Sequence, residues 1–91
     1  MRNFDDVPND DETTMKLSVT ANLEPYEVLY QAWSWDGIDG ESIIFHSDDI
    51  AALSDDALCA LVSESPLVDR TISMTVKRTE KFTFVNFNFR S

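Results

Sequence analysis

The chain has 91 residues, of which seventeen are acidic and seven are basic, and its formal net charge is −10. A chain of this length forms one domain with a small core, and a hydrophobic fraction of 43% is ordinary for a globular protein. The charge argues against direct binding to nucleic acid or to an anionic membrane, because both would repel it, and it favours a basic protein surface as the partner.

The N-terminal segment differs in composition from the rest of the chain. Residues 1–14 are rich in aspartate and show no hydrophobic period, which predicts a flexible acidic tail before a single domain over residues 15–91. The start of the chain does not have the pattern of a signal peptide, and no stretch approaches the about 20 apolar residues of a membrane-spanning helix. Cys59 has no second cysteine for a disulfide, so we expect a cytoplasmic protein.

The first half of the domain has the features of strands. Apolar and polar residues alternate over 15–23, which predicts a half-buried strand. Residues 26–35 fit one face of a helix and also the aromatic content of a strand, and we favour the strand. The sequence DGIDG at 36–40 predicts a turn, and the apolar run at 41–46 predicts a strand that completes a hairpin.

Residues 47–62 have the features of a helix. Ser47 and Ser54 are each placed to cap a helix start, and each is followed by two aspartates that suit the positive end of the helix dipole. The segment therefore predicts one helix, or two short helices that meet at Ser54, ending before Pro66.

The C-terminal region predicts a second hairpin. Residues 72–77 alternate as a strand does, 78–81 form a turn, and the apolar parity of the last run changes between Phe84 and Val85, which predicts a β-bulge. The predicted fold class is α+β, with an antiparallel sheet of four to five strands and one helix, or two short helices, packed on one face.

The charges are distributed unevenly along the chain. Residues 1–69 carry a net charge of −14 and residues 70–91 a net charge of +4. Two aspartate pairs, 48–49 and 55–56, lie seven residues apart and would share a face of one continuous helix, with the acids of the 36–41 turn nearby. Helix capping and solubility are the simpler explanation of these pairs, and a surface that occupies a phosphate-binding groove is the alternative.

Trp33 and Trp35 share one strand parity, and a tryptophan left exposed beside the acids would be a natural interface anchor. The candidate partner-binding residues are therefore Trp33, Trp35, Asp36, Asp39, Glu41, Asp48, Asp49, Asp55 and Asp56.

No sequence pattern indicates catalysis, a cofactor or a metal. There is no GxSxG motif and no glycine-rich phosphate loop. The DGIDGE sequence lacks two acids of a calcium loop, since Trp35 and His46 occupy their positions. A single histidine without a cysteine partner also argues against a structural zinc site. Because no catalytic motif is found, we expect that the protein is not an enzyme.

In size, charge and layout the chain resembles the small acidic anti-defence proteins of phages and mobile elements, including anti-CRISPR and anti-restriction proteins. The resemblance is carried by the acidic tail, by DGIDGE at 36–41 and by SDDIAALSDDALCAL at 47–61. It implies a non-catalytic inhibitor in the host cytoplasm that binds a CRISPR effector or a restriction enzyme through an acidic face, by steric block or phosphate mimicry.

Two other functions fit the same features. A bacterial antitoxin or immunity protein would also be small and acidic, and it would cover a basic toxin nuclease. A small acidic subunit of a larger assembly is the third possibility. The sequence leaves the oligomeric state, monomer or dimer, open.

Overall fold

The computed structural model describes residues 4, 7, 14–64 and 73–89. Within them the strands are β1 (Thr14–Leu23), β2 (Tyr26–Trp35), β3 (Ile38–His46), β4 (Ser73–Arg78) and β5 (Phe82–Phe89). A 3-10 turn (Ser47–Ile50) and the helix α1 (Asp55–Ser63) lie between β3 and β4. The strands form one antiparallel sheet in the order β1-β2-β3-β5-β4. The predicted antiparallel sheet is confirmed, and the one α-helix found among the described residues fits an α+β class in which strands dominate.

The main core lies between α1 and one face of the sheet, here called the helical face. Leu58 and Val62, four residues apart on α1, are fully buried and pack with Val28, Phe45 and Phe87 of the sheet. Burying an apolar side chain of this size contributes roughly 1.5–3 kcal/mol. The helical face is therefore the main source of stability.

A smaller core lies on the opposite face of the sheet. Leu29, Ile44 and Phe82 are buried there, and Phe4 and Val7 pack against them. Phe4 and Val7 belong to the segment predicted as an acidic tail, and they lie on the sheet. The other residues of 1–13 are outside the described part of the chain.

The β2–β3 hairpin is closed by a turn of two residues, Asp36 and Gly37. Their φ angles are 49° and 77°. Two consecutive positive φ angles are the pattern of a type I′ turn, whose twist matches that of the flanking strands. The predicted hairpin is confirmed, but the turn is shorter than DGIDG because β3 begins at Ile38.

The β-bulge predicted between Phe84 and Val85 is wrong. β5 pairs with β3 and with β4 in continuous register. The apolar residues of β5 point to both faces of the sheet because β5 lies between two other strands. Phe82 is buried on the opposite face, and Val85 is buried on the helical face. A register shift occurs instead in β1, between Met15 and Leu17.

The strand predicted over 15–23 is confirmed, but it is not half-buried along its length. All side chains from Thr14 to Thr20 are exposed, including Leu17 at 48% and Val19 at 44%. The reason is position: β1 is an edge strand, and α1 packs near β4 at the other edge.

The segment 47–63 follows the second of the two predicted alternatives, with two separate helical elements. Ser54 caps α1, since its hydroxyl accepts a hydrogen bond from the backbone N–H of Ala57 at 3.1 Å. The capping role predicted for Ser47 is wrong, because its hydroxyl donates to the carbonyl of Thr79 at 2.8 Å. Pro66, predicted to end the helix, lies outside the described residues. In the described ranges, no helix is long and apolar enough to cross a membrane.

Candidate protein-binding site

The structure places most of the predicted binding residues in two groups at opposite ends of β3. Asp36 lies in the turn before β3, whereas Asp48 and Asp49 come directly after it. At about 3.3 Å per residue, nine residues of strand separate the groups by about 30 Å. The longest dimension of the molecule is 34 Å. The expectation that the acids of residues 36–41 lie near the helical aspartates is therefore wrong, because Ile38 and Gly40 belong to an extended strand.

We call the first group the acidic junction: Asp48 and Asp49 of the 3-10 turn and Asp55 and Asp56 of the first turn of α1. The four carboxylates do not form one row on a continuous helix, because residues 51–54 separate the two elements. Asp48 and Asp56 are exposed, and neither side-chain carboxylate makes a hydrogen bond or an ion pair within the described part of the chain.

Arg78 of β4 fixes the backbone of the acidic junction. Its Nε donates to the Oδ1 of Asp55 at 2.9 Å, and its Nη2 and Nη1 donate to the carbonyls of Leu53 at 2.7 Å and Ile50 at 3.4 Å. These bonds tie the segment between the two helical elements to the sheet edge. Arg78 also offsets part of the negative charge of the acidic junction through its ion pair with Asp55, so Asp55 has a structural role.

We call the second group the hairpin end: Trp33, Trp35, Asp36 and Ile38. Trp33 and Trp35 share the opposite face, as their parity predicts. Trp35 is 44% exposed, and its cross-strand partner Ile38 is 41% exposed. An exposed tryptophan beside an acid is the arrangement expected for an interface anchor, although only Asp36 supplies a carboxylate next to it.

The indole of Trp33 is held against the neighbouring strand β3 at the hairpin end. Its Nε1 donates to the hydroxyl of Ser42 at 2.8 Å, and its indole lies across Gly40, where an added Cβ would overlap the ring. Sequence reasoning missed this role of Gly40. The signal that would have found it is the hairpin register, which places the glycine opposite the tryptophan.

A row of polar side chains crosses all five strands on the opposite face, which the sequence analysis also missed. Its members face one another in register: Ser18, Gln31, Ser42, Asn86 and Thr75. The hydroxyl of Ser42 donates to the Oδ1 of Asn86 at 2.5 Å, and the amide of Gln31 donates to Ser18 at 3.4 Å. These hydrogen bonds account for the burial of the polar side chains of Gln31 and Ser42.

Asp39 and Glu41 lie on the helical face, away from the two tryptophans. The ammonium of Lys16 donates a hydrogen bond to Asp39 at 2.9 Å, and this bond and the charge of Lys16 hold the pKa of the Asp39 carboxyl below its usual range. Glu41 is half-buried. Neither acid therefore belongs to the acidic junction or to the hairpin end.

His46 and Cys59 carry the other side chains of reactive types, an imidazole ring and a free thiol. The ring of His46 lies 4.4 Å from that of Phe4 and 5.4 Å from that of Phe82, and its Nε2 is buried with no hydrogen-bond partner in the described ranges. Burial raises the pKa of the Cys59 thiol, and the charges of Asp55 and Asp56 raise it further, which disfavours the nucleophilic thiolate. Among the described residues no group of three or more His, Cys, Asp or Glu is placed to hold a metal ion.

No protein-family profile matches the chain, and no curated protein and no solved structure shows significant similarity to it.

Proposed function

We propose that this protein is a non-catalytic inhibitor that binds a basic surface of a nucleic-acid-handling complex, a CRISPR effector or a restriction enzyme, through the acidic junction. The observation that carries the proposal is the exposure of Asp48 and Asp56, two carboxylates without a cationic partner among the described residues. A carboxylate without a cationic partner is available to a cation on another molecule, and it steers that molecule at long range.

The backbone beneath these carboxylates supports the proposal because it is held at several points. Ser54 caps α1, Arg78 binds two carbonyl groups of the segment before α1, and Ser47 binds the carbonyl of Thr79. A surface that is already ordered loses little conformational entropy on binding. The acidic junction thus presents its charges on a fixed support.

Steric block fits this geometry better than phosphate mimicry. A duplex carries about one charge per 1.7 Å of axis in a regular array. The acidic junction divides its carboxylates between two elements, and one of them, Asp55, is bonded to Arg78. In the proposed mechanism the carboxylates contact lysines or arginines that otherwise hold nucleic acid, and the sheet occupies the space in front of them.

Trp35 is the second proposed contact. Tryptophan is enriched among the residues that dominate binding energy, and this side chain is 44% exposed. Trp35 lies on the opposite face and the acidic junction adjoins the helical face, so a partner that contacts both must extend around an end or an edge of the sheet.

The double substitution Asp48→Asn with Asp56→Asn tests the proposal. Its matched control is Glu27→Gln with Glu64→Gln, which removes the same two charges at exposed positions outside the acidic junction. Affinity is measured at two salt concentrations for a purified CRISPR effector complex, a restriction enzyme and a toxin nuclease. We expect the wild-type chain to bind one of the first two, and the Asn variant to bind about tenfold or more weakly with a flatter salt dependence.

Three outcomes would contradict the proposal in different ways. Unchanged affinity of the Asn variant would remove the acidic junction from the interface. An equal loss in the control variant would assign the effect to net charge alone. Binding to the toxin nuclease and to neither of the other targets would identify an immunity protein instead.

A further inference from the structure

The outer side of β1 is an unpaired strand edge. Among the described residues no strand pairs with it, and every side chain from Thr14 to Thr20 is exposed. An edge strand presents a row of free N–H and C=O groups, which are available to pair with a further strand. Natural proteins protect such edges by charge, by shortness, by bulges or by a covering element.

The two edges of this sheet differ in that protection. β4 has six residues and carries the charges of Lys77 and Arg78. β1 has ten residues, and Lys16 is its one charge. After the register shift at Met15–Leu17, β1 continues without interruption to Leu23. It is the longer, less charged and more apolar edge.

We propose that two copies of this chain associate through antiparallel pairing of their β1 strands, which joins two five-stranded sheets into one. The two-fold axis lies at Thr20, so that Thr20 faces Thr20 of the second copy. In this register Leu17 lies opposite Leu23 of the second copy, and Val19 lies opposite Ala21. The pairing covers the exposed side chains of Leu17 and Val19 and provides partners for the free backbone groups of both strands.

The distribution of charge points to a second copy as the occupant of this edge. The register brings Lys16, whose ammonium binds Asp39 of its own chain, next to Glu24 in the turn that follows β1 of the second copy, so each lysine lies between two carboxylates. The net charge of −10 opposes self-association in general. The acidic junction, however, follows the far end of β3, and the paired segment 17–23 is uncharged. β1 is thus a surface on which two acidic chains can approach each other.

Matched threonine-to-lysine substitutions at the two edges test the pairing. Thr20 of β1 and Thr75 of β4 are both exposed and both lie on the opposite face, so Thr20→Lys and Thr75→Lys change net charge and side chain equally. Thr20→Lys places two lysines opposite each other at the two-fold axis. Molecular mass is measured for the whole chain by sedimentation velocity across micromolar concentrations, and folding is checked by circular dichroism.

We expect the wild-type chain and Thr75→Lys to have about twice the 10.4 kDa mass of one chain. Thr20→Lys should raise the dissociation constant of the dimer at least about tenfold while the chain stays folded. A monomeric wild-type chain, a Thr20→Lys variant that dimerises normally, or equal dissociation of both variants would overturn the proposal. Formation of a complex with a basic extended peptide by a monomeric chain would assign the edge to a different partner. The pairing does not depend on the proposed function.

Discussion

The acidic junction and the hairpin end are positioned by different means. At the acidic junction, hydrogen bonds between side chains and the backbone hold the segment that carries the charges: Ser54 caps α1, and Arg78 of β4 binds the carbonyl of Leu53. At the hairpin end, sheet register places the side chains: Trp33 depends on Gly40 and Ser42 of the neighbouring strand. Two groups of residues that look alike as binding candidates therefore differ in how they respond to substitution. Changes at the junction act on a helix, and changes at the hairpin end act on the packing of two strands.

The largest expected effect is at the helix that supports the acidic junction. Leu58→Ala should lower the free energy of unfolding by about 2–5 kcal/mol, because Leu58 is fully buried and the substitution leaves a cavity. Urea denaturation measures the loss. Leu61→Ala on the same helix is the control, and it should cost less because Leu61 is half-buried. Equal losses of stability in the two variants would show that α1 does not pack on the sheet through the side that carries Leu58 and Val62.

The next effect in size is at the hairpin end. Gly40→Ala should cost about 1–3 kcal/mol, because the new methyl group occupies the space of the Trp33 indole, and it should change the tryptophan fluorescence. Gly37→Ala is the control. It costs about 1–2 kcal/mol through its positive φ of 77°, but its methyl group would meet nothing within 4 Å. An unchanged emission spectrum for Gly40→Ala would contradict the placement of Trp33.

A smaller effect is expected from the helix cap at the acidic junction. Ser54→Ala removes the hydrogen bond to Ala57 N–H and should cost about 1 kcal/mol. Ser63→Ala, at the exposed last residue of α1, should change stability by less than about 0.5 kcal/mol. Thermal unfolding of the two variants compares them, and equal melting temperatures would argue against the cap.

The smallest effect concerns the ion pair of Lys16 and Asp39. The pKa of Asp39 is lower in the folded chain than in the unfolded chain, so the pair stabilises the fold above the unfolded pKa, and this contribution is lost as the pH falls through the folded pKa. Lys16→Met should raise the pKa of Asp39, as measured by NMR titration of the carboxyl carbon. Lys77→Met, at the other edge of the sheet, should leave it unchanged.

The strands were predictable because their signals are local. Alternation over 15–23 and turn residues at 36–37 are properties of short segments, and β1, β2 and the first hairpin follow them. Which strand lies at an edge is a property of the whole sheet, so the exposure of Leu17 and Val19 was not visible in the alternation. The apolar residues on both sides of β5 around Phe84 and Val85 also depend on the position of the strand in the sheet, because an inner strand is covered on both faces.

The candidate site was only partly predictable for a similar reason. Ser54 and its aspartates show the helix start directly, but the distance between Asp36 and Asp48 depends on whether the residues between them are extended. The DGIDG sequence favours a turn, whereas pairing with β2 and β5 draws Ile38 and Gly40 into a strand. Contacts across the sheet, such as Arg78 with Asp55, leave no pattern in the sequence.

The pairing of β3 with β5 joins strands that are distant in sequence. The β1–β2, β2–β3 and β4–β5 hairpins join neighbours in sequence and form within microseconds. Pairing Ile43 with Val85 closes a loop of about 40 residues, whose entropy must be lost first. We expect this closure to limit the folding rate. β4, which carries Arg78, is joined to the sheet through β5, so we expect the acidic junction to gain its final order together with the β3–β5 pairing.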